Sequence, residues 1–259
     1  MAKLSTTQPS NVALLVTCLV DLFRPSVGFA AVKLIEEAGY HVDVPEVQTC
    51  CGQPAYNTGD RNNAIDIASQ VIEAFQGYDY VVAPSGSCAS MLKEHYPRLF
   101  DDISDWSEKA NNLAERTYEL MSFLVDVLGI EQIASKNLAK VAYHDSCSGL
   151  RELGIKAQPR TLLSNIEGLE IIEYEGAESC CGFGGTFCVK YTEISNKILT
   201  SRIDQLTSTD ADTLLGGDLG CLFNLAGKLK REGSHIQVRH VAEVLAGLTD
   251  YPAIGNVED

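Results

Sequence analysis

The sequence predicts an α/β protein of two homologous halves, each a parallel sheet flanked by helices, with cysteines at the carboxyl edges of the strands. Three observations lead there. Short apolar, partly β-branched runs alternate with stretches of helical apolar spacing along the chain, the pattern of strands joined by crossover helices. Eight of the nine cysteines fall into two sets in register: Cys147 lies 129 residues after Cys18, Cys180 and Cys181 lie 130 after Cys50 and Cys51, and Cys221 lies 133 after Cys88. A nearly constant offset marks an internal repeat. Each of these cysteines, finally, stands just past the end of a strand-like run.

The elements follow in order. Residues 12–17 form an apolar run that stops at Cys18, and Pro25 with Ser26 opens a helical pattern reaching residue 38. Residues 40–44 read as a strand ending at Pro45; the loop Cys50-Cys51-Gly52 follows, and residues 62–75 have helical spacing. Residues 80–83 are a third strand, whose exit Pro84-Ser85-Gly86-Ser87-Cys88 feeds another helix. The second copy repeats this with residues 141–143 before Cys147, 169–174 before Cys180-Cys181-Gly182, and 213–215 before Gly216 to Cys221. A last strand at 236–238 and a helix at 241–245 close the pattern. Residues 104–128 read as an acidic, mostly helical connection holding the single tryptophan, Trp106. The expected division is a first repeat domain over 1–103, a connection over 104–139 and a second repeat domain over 140–259. No low-complexity linker separates the halves, so they are expected to pack together.

Composition narrows the function. The 259 residues are 45% hydrophobic and 21% charged, an ordinary globular balance. Thirty-five acidic against twenty basic residues give a net charge of −15, the wrong sign for gripping phosphates or anionic lipid, which excludes nucleic acid as a partner. The apolar stretch at 12–20 is less than half of the roughly 20 residues that a membrane helix needs. Residues 1–10 carry one lysine and no apolar stretch, unlike a secretory signal. A cytoplasmic location is expected, where thiols stay reduced and cysteines in number point to metal or redox chemistry.

Parallel strands joined by crossover helices leave their exits on one sheet edge, where open α/β folds bind ligands. Four thiolates brought together there repel one another unless a cation compensates them. Adjacent cysteines point in different directions, which suits a multi-iron cluster better than one tetrahedral ion. Structural zinc typically uses pairs spaced by two to four residues, and the chain has no Cys-x-x-Cys. Gly52 and Gly182 give each loop backbone freedom that a Cβ would block, extended in the second copy by Gly184 and Gly185. Two other readings stay open: a thiol-disulfide oxidoreductase cycling a strained vicinal bridge at Cys50-Cys51 or Cys180-Cys181, and a non-catalytic module holding structural zinc. Cys188 has no counterpart and reads as a packed thiol. No dinucleotide or phosphate-loop fingerprint occurs.

At these motifs the chain resembles the cysteine-rich family with duplicated Cys-Cys-Gly motifs, which includes the B subunit of heterodisulfide reductase and iron-sulfur subunits of glycolate oxidase and anaerobic glycerol-3-phosphate dehydrogenase. Within it the chain is most similar to the short lactate utilization protein A family. The matching stretches begin at Thr17-Cys18, Gln48-Thr49-Cys50-Cys51-Gly52, Val82-Ala83-Pro84-Ser85, His144-Asp145-Ser146-Cys147, Cys180-Cys181-Gly182-Phe183 and Gly220-Cys221. The resemblance implies an iron-sulfur oxidoreductase subunit, not NAD-dependent, that transfers electrons in the oxidation of L-lactate to pyruvate. It implies one iron-sulfur cluster per repeat, of the 4Fe-4S kind, held by Cys18, Cys50, Cys51 and Cys88 in the first and by Cys147, Cys180, Cys181 and Cys221 in the second. The chain lacks the ferredoxin motif of longer relatives, so the implied partners are a ferredoxin-like iron-sulfur subunit and a third lactate-utilization subunit, with lactate bound here or on a partner.

Departures from the broader family mark further residues. Its last cysteine belongs to a Cys-x-x-Cys pair, whereas Ser85 and Asp218 replace the earlier member here. Each is either an oxygen ligand or a helix cap. Ser148 stands where the lactate-utilization relatives carry histidine. His144 reads either as a hydrogen-bonding or proton-moving group beside a cluster or as a strand-end histidine. Arg24 reads as a counter-charge to thiolates, as a carboxylate-binding group, or as neither.

Overall fold

The computed structural model describes residues 11–256; residues 1–10, read above for a leader, lie outside them. The first sheet contains β1 (Asn11–Leu14), β2 (His41–Asp43), β3 (Tyr80–Ala83) and β4 (Thr117–Glu119) in the order β2-β1-β3-β4. The second contains β5 (Lys136–His144), β6 (Glu167–Ile172), β7 (Thr213–Gly216) and β8 (Gln237–His240) in the order β6-β5-β7-β8. Every pairing is parallel, so the two halves are one topology used twice. The order reverses between β1 and β3, and between β5 and β7. Crevices at such reversals are where ligands sit in open sheets, and Cys18 with Cys88, and Cys147 with Cys221, follow these strands.

Side chains alternate across each strand, and the alternation builds the layers. Val12 and Leu14 of β1 join Val141 and Tyr143 of β5 and Leu215 of β7 in one apolar core common to both halves. The helices Pro25–Glu37 and Val241–Leu245 also enter it. Residues of opposite parity face separate cores: Ala13 packs toward the helix Arg61–Ala74 of the first half, and Ala142 and Leu214 toward the helices Thr192–Thr207 and Leu219–Arg231 of the second. The shared core fixes the halves against each other, as their continuous sequence suggested.

Residues 104–128 are mostly helical, as read, but they also hold a strand that the reading did not contain. After the helix Ser104–Glu115 the connection supplies β4, which pairs with β3 through Val81↔Thr117 and completes the first sheet. Three residues are too few for period-two alternation to stand out, and Thr117 and Glu119 are buried without being apolar. Among the described residues no helix is long and apolar enough to cross a membrane.

Candidate metal-thiolate centres

The strand exits place the cysteines. Three residues after β1, Thr17 turns the chain with φ of 69°, rare for a β-branched residue, and its Oγ1 accepts the Val20 amide at the start of the helix Cys18–Phe23. Beyond β3, Ser85 caps the helix Gly86–Ser90, its Oγ accepting the Cys88 amide at 3.3 Å. In the second half Ser146 caps the helix Cys147–Arg151 and Asp218 the helix Leu219–Arg231. Cys50-Cys51 and Cys180-Cys181 lie in the loops after β2 and β6. Gly52 and Gly182 follow with φ of 80° and 78°, left-handed positions that favour glycine. The carbonyl of Cys51 accepts from Tyr96 Oη and that of Cys181 from Asn224 Nδ2, both at 2.9 Å. Each pair is thus pinned by the helical run that carries the fourth cysteine.

The thiols gather within each half. Cys18 Sγ is 3.7 Å from Cys50 Sγ, and Cys51 Sγ is 3.4 Å from Cys88 Sγ. In the second half Cys181 Sγ is 2.9 Å from Cys221 Sγ, and Cys147 and Cys180 are near enough to shift each other's ionisation. All nine cysteines are free thiols. Cys188 stands apart from the eight and donates to the Gly185 carbonyl at 3.4 Å.

Hydrogen bonds among the thiols decide where negative charge collects. Cys50 is pulled down to about 2 by hydrogen bonds from Cys18 and Cys51, helped by the Gly52 amide. Cys180 is pulled down to about 2 by Cys147 and Cys181, helped by the Gly182 amide. Their partners Cys18, Cys51, Cys147 and Cys181 rise, through those same bonds and through burial. Each set therefore favours one thiolate supported by its neighbours. Further ionisation requires a cation, as a metal centre provides.

The two sets are neighbours, and each half lines the other's site. Asp218 Oδ2 accepts Ser85 Oγ at 3.1 Å and the Ser87 amide at 2.9 Å, while Oδ1 accepts the Gly220 amide at 3.1 Å. Ser85 and Asp218 thus act as caps and brace the halves. Gly86 approaches so closely that a Cβ there would lie 3.1 Å from Gly149 Cα. A cavity of about 210 Å³ is lined by Cys18, Cys50, Cys51 and Cys88 together with Phe183 and Gly185 of the other half. A second, of about 200 Å³, is lined by Cys147, Cys181 and Cys221 together with Gln53, Ser87 and His95 of the first. Ser148 also lines the second cavity. The convergent thiols, supporting amides and the cavity beside each set suit a metal-thiolate group in each half.

The surroundings differ sharply. One ring nitrogen of His144 lies with Cys181 Sγ and Cys221 Sγ in a group whose members are all within 4.8 Å. Arg202 Nη2 meets His144 Nδ1 at 2.5 Å and donates to the Ala177 carbonyl at 2.8 Å. Burial, and then the Arg202 charge, push the imidazole down to about 3, so it is neutral. Because a guanidinium only donates, Nδ1 is the acceptor and the proton sits on Nε2. Arg202 was not singled out in the sequence, although a signal existed: it interrupts the buried stripe of Ser195, Leu199, Ile203 and Leu206. Arg24 is engaged by a carboxylate of the chain itself: its Nε binds Glu243 Oε1 at 2.8 Å, and Ser26 Oγ donates to the same oxygen.

Fold and site together define a duplicated α/β protein with two four-cysteine sites at adjoining sheet edges. A family model described as "Cysteine-rich domain" (CCG) matches residues 12–93 and 141–226, once in each half. "Lactate utilization protein A 2" of Bacillus cereus (strain AH820) is 50% identical over 236 residues, covering 91% of this chain and 98% of that protein. "Lactate utilization protein A" of Geobacillus sp. (strain WCH70) is 49% identical over 235 residues, with the same coverage. The chain belongs to the duplicated cysteine-rich domain family and, within it, to the lactate utilization protein A family. Among solved structures, a hypothetical protein from Helicobacter pylori aligns with a TM-score of 0.64 at 14% identity, covering 97% of this chain. The chain spans 50% of that structure's length, and the likeness concerns the fold alone.

Proposed function

We propose that the chain is an iron-sulfur oxidoreductase subunit that passes electrons in the oxidation of L-lactate to pyruvate. The observation that carries the reading is the convergence of two sets of four free thiols at adjoining sheet edges. Cys18, Cys50, Cys51 and Cys88 would hold one centre, and Cys147, Cys180, Cys181 and Cys221 the other. When bound, iron and sulfide supply one-electron redox chemistry, which thiols alone do not. The substrate assignment rests on the similarity to lactate utilization proteins.

Conversion of a 2-hydroxy acid to a 2-oxo acid releases two electrons and two protons, so a carrier subunit needs a partner on each side. A ferredoxin-like iron-sulfur subunit and a third lactate-utilization subunit are the proposed partners, in the cytoplasm. A hollow of about 430 Å³ beside Cys18 and Cys50 is lined in part by Leu22 and Val44, both exposed apolar side chains. Apolar surface beside a redox site suits docking of such a partner.

The test is iron, acid-labile sulfide and zinc per chain on anaerobically prepared protein, with the visible spectrum before and after dithionite. Iron and sulfide in comparable amounts, with absorbance that bleaches, support the proposal. Zinc alone indicates a structural module, and metal-free thiols that form a Cys50-Cys51 or Cys180-Cys181 bridge indicate a thiol-disulfide enzyme; either overturns it.

A further inference from the structure

The second site holds a buried cation that no carboxylate neutralises. Arg202 is 1% exposed, and its Nε and Nη1 have no hydrogen-bond partner. The nearby Asp145 is committed elsewhere, accepting two 2.9 Å bonds from Arg160. Among the described residues no carboxylate oxygen lies within 4.0 Å of Arg202, and its other close neighbours are the His144 imidazole, the Ala177 carbonyl and the Tyr174 ring. His144 Nε2 is also buried without a partner. An isolated buried charge is strongly unfavourable, so these groups call for an anion. Beside the Cys180 thiolate, the anionic groups available are Cys181 and Cys221, once a metal lets them ionise.

The first half shows what the site would be without this charge. Arg202 lies 21 residues after Cys181, and the residue 21 after Cys51 is Ile72; His144 lies three before Cys147, and three before Cys18 is Leu15. Ile72 and Leu15 are both buried and apolar. The fold is the same, but the charge is present on one side only.

We propose that Arg202 is the counter-charge of the second centre, with the Nε2–H of neutral His144 as a donor beside it, and that it holds that centre at a higher reduction potential than the first. The inference rests on the iron-sulfur reading above. Reduction adds one electron to a centre and forms no bond, so the product carries one more negative charge. A fixed cation in a dry site stabilises that product more than the oxidised form. Arg202 is a positioning residue in this sense: it acts on the electron affinity of a group held by other side chains.

The experiment uses full-length protein loaded anaerobically with iron(II) and sulfide. Chemical reductant and mediators supply the electrons, and the titration is followed by electron paramagnetic resonance. Cys51→Ser/Cys88→Ser empties the first site and Cys181→Ser/Cys221→Ser the second, so each midpoint is assigned separately. The second site is expected to be the higher. Arg202→Met should weaken its reduction at least tenfold, a fall of about 59 mV for a one-electron couple, and leave the first midpoint in place. Arg202→Lys should restore most of the difference. If Arg202→Met loses second-site iron, retention by Arg202→Lys still supports the charge, whereas equal loss by both indicates a demand for shape and overturns it. An unchanged second midpoint, or a higher first one, overturns this inference alone. Wild-type protein that takes up neither iron nor sulfide overturns it together with the proposed function.

Discussion

Gly52 and Gly182 are repeat equivalents with nearly the same backbone, φ of 80° and 78°, so alanine at each makes a controlled comparison. A non-glycine residue in the left-handed region costs about 1–2 kcal/mol at either position. About 0.4–1 kcal/mol returns because alanine restricts the unfolded chain. At Gly52 the new Cβ would lie 3.2 Å from Ile67 Cγ2, the end of a side chain that can shift, so Gly52→Ala should cost about 1 kcal/mol in total. At Gly182 it would lie 2.7 Å from the Ser195 carbonyl oxygen. That oxygen belongs to the backbone of the helix Thr192–Thr207, and Ser195 Oγ donates back to the Gly182 carbonyl at 2.7 Å. Helix and loop must separate, adding the roughly 1–3 kcal/mol of an overpacked contact. Gly182→Ala should therefore cost about 2–4 kcal/mol. Urea midpoints of the metal-free variants under reductant measure the difference. A loss at Gly182 no larger than at Gly52 would refute the close approach that positions Cys180 and Cys181.

Three other outcomes are expected. Burial raises the Glu119 carboxyl to about 8 even though it accepts the Met121 and Ser122 amides. The folded state therefore holds a proton that the unfolded state has released, stability falls as pH rises from about 4.5 toward about 8, and Glu119→Gln should flatten that part of a plot of urea midpoint against pH. Arg160→Met strands the Asp145 carboxylate, whose side chain is 0% exposed, and should cost about 3–5 kcal/mol by denaturant titration; a loss below 1 kcal/mol would count against the paired, buried geometry. Asp218→Ala removes a helix cap and the brace to Ser85 and Ser87, so it should lose about 2 kcal/mol while iron per chain stays at the wild-type value. A fall in iron would identify Asp218 as an oxygen ligand instead.

The sequence carried the topology well because its signals were duplicated. The strand expected at 80–83 is β3 itself, and the helix expected from Pro25 to residue 38 ends at Glu37. The register of Cys18, Cys50, Cys51 and Cys88 with the second set correctly implied that each set gathers at one sheet edge. What escaped was short or relational. β4 is a three-residue edge strand, although its counterpart β8 was visible as a strand and the repeat itself could have exposed it. Arg202 could be seen interrupting an apolar stripe, but no spacing reveals that a guanidinium lacks a carboxylate. Arg24 illustrates the converse: its partner Glu243 lies 219 residues away, and only folding shows it to be engaged.

Pseudosymmetry explains why the two sites are close neighbours. The helix Gly86–Ser90, bearing the fourth cysteine of the first half, packs on Cys147–Arg151, which bears the first cysteine of the second. The helix Cys18–Phe23 packs in turn on Leu219–Arg231. The closure is reciprocal, and neither half could line its cavity alone, since Phe183 reaches the first site and Gln53 the second. Within that constraint the copies diverged in opposite ways. The first site adjoins a hollow edged by exposed Leu22 and Val44. The second has a buried imidazole beside its sulfurs and a buried guanidinium behind that imidazole. Under the proposed electron-transfer role a relay would use both properties, a face that a partner can reach and a charged interior that retains the electron, and the duplicated fold would separate them while keeping the two thiol sets adjacent.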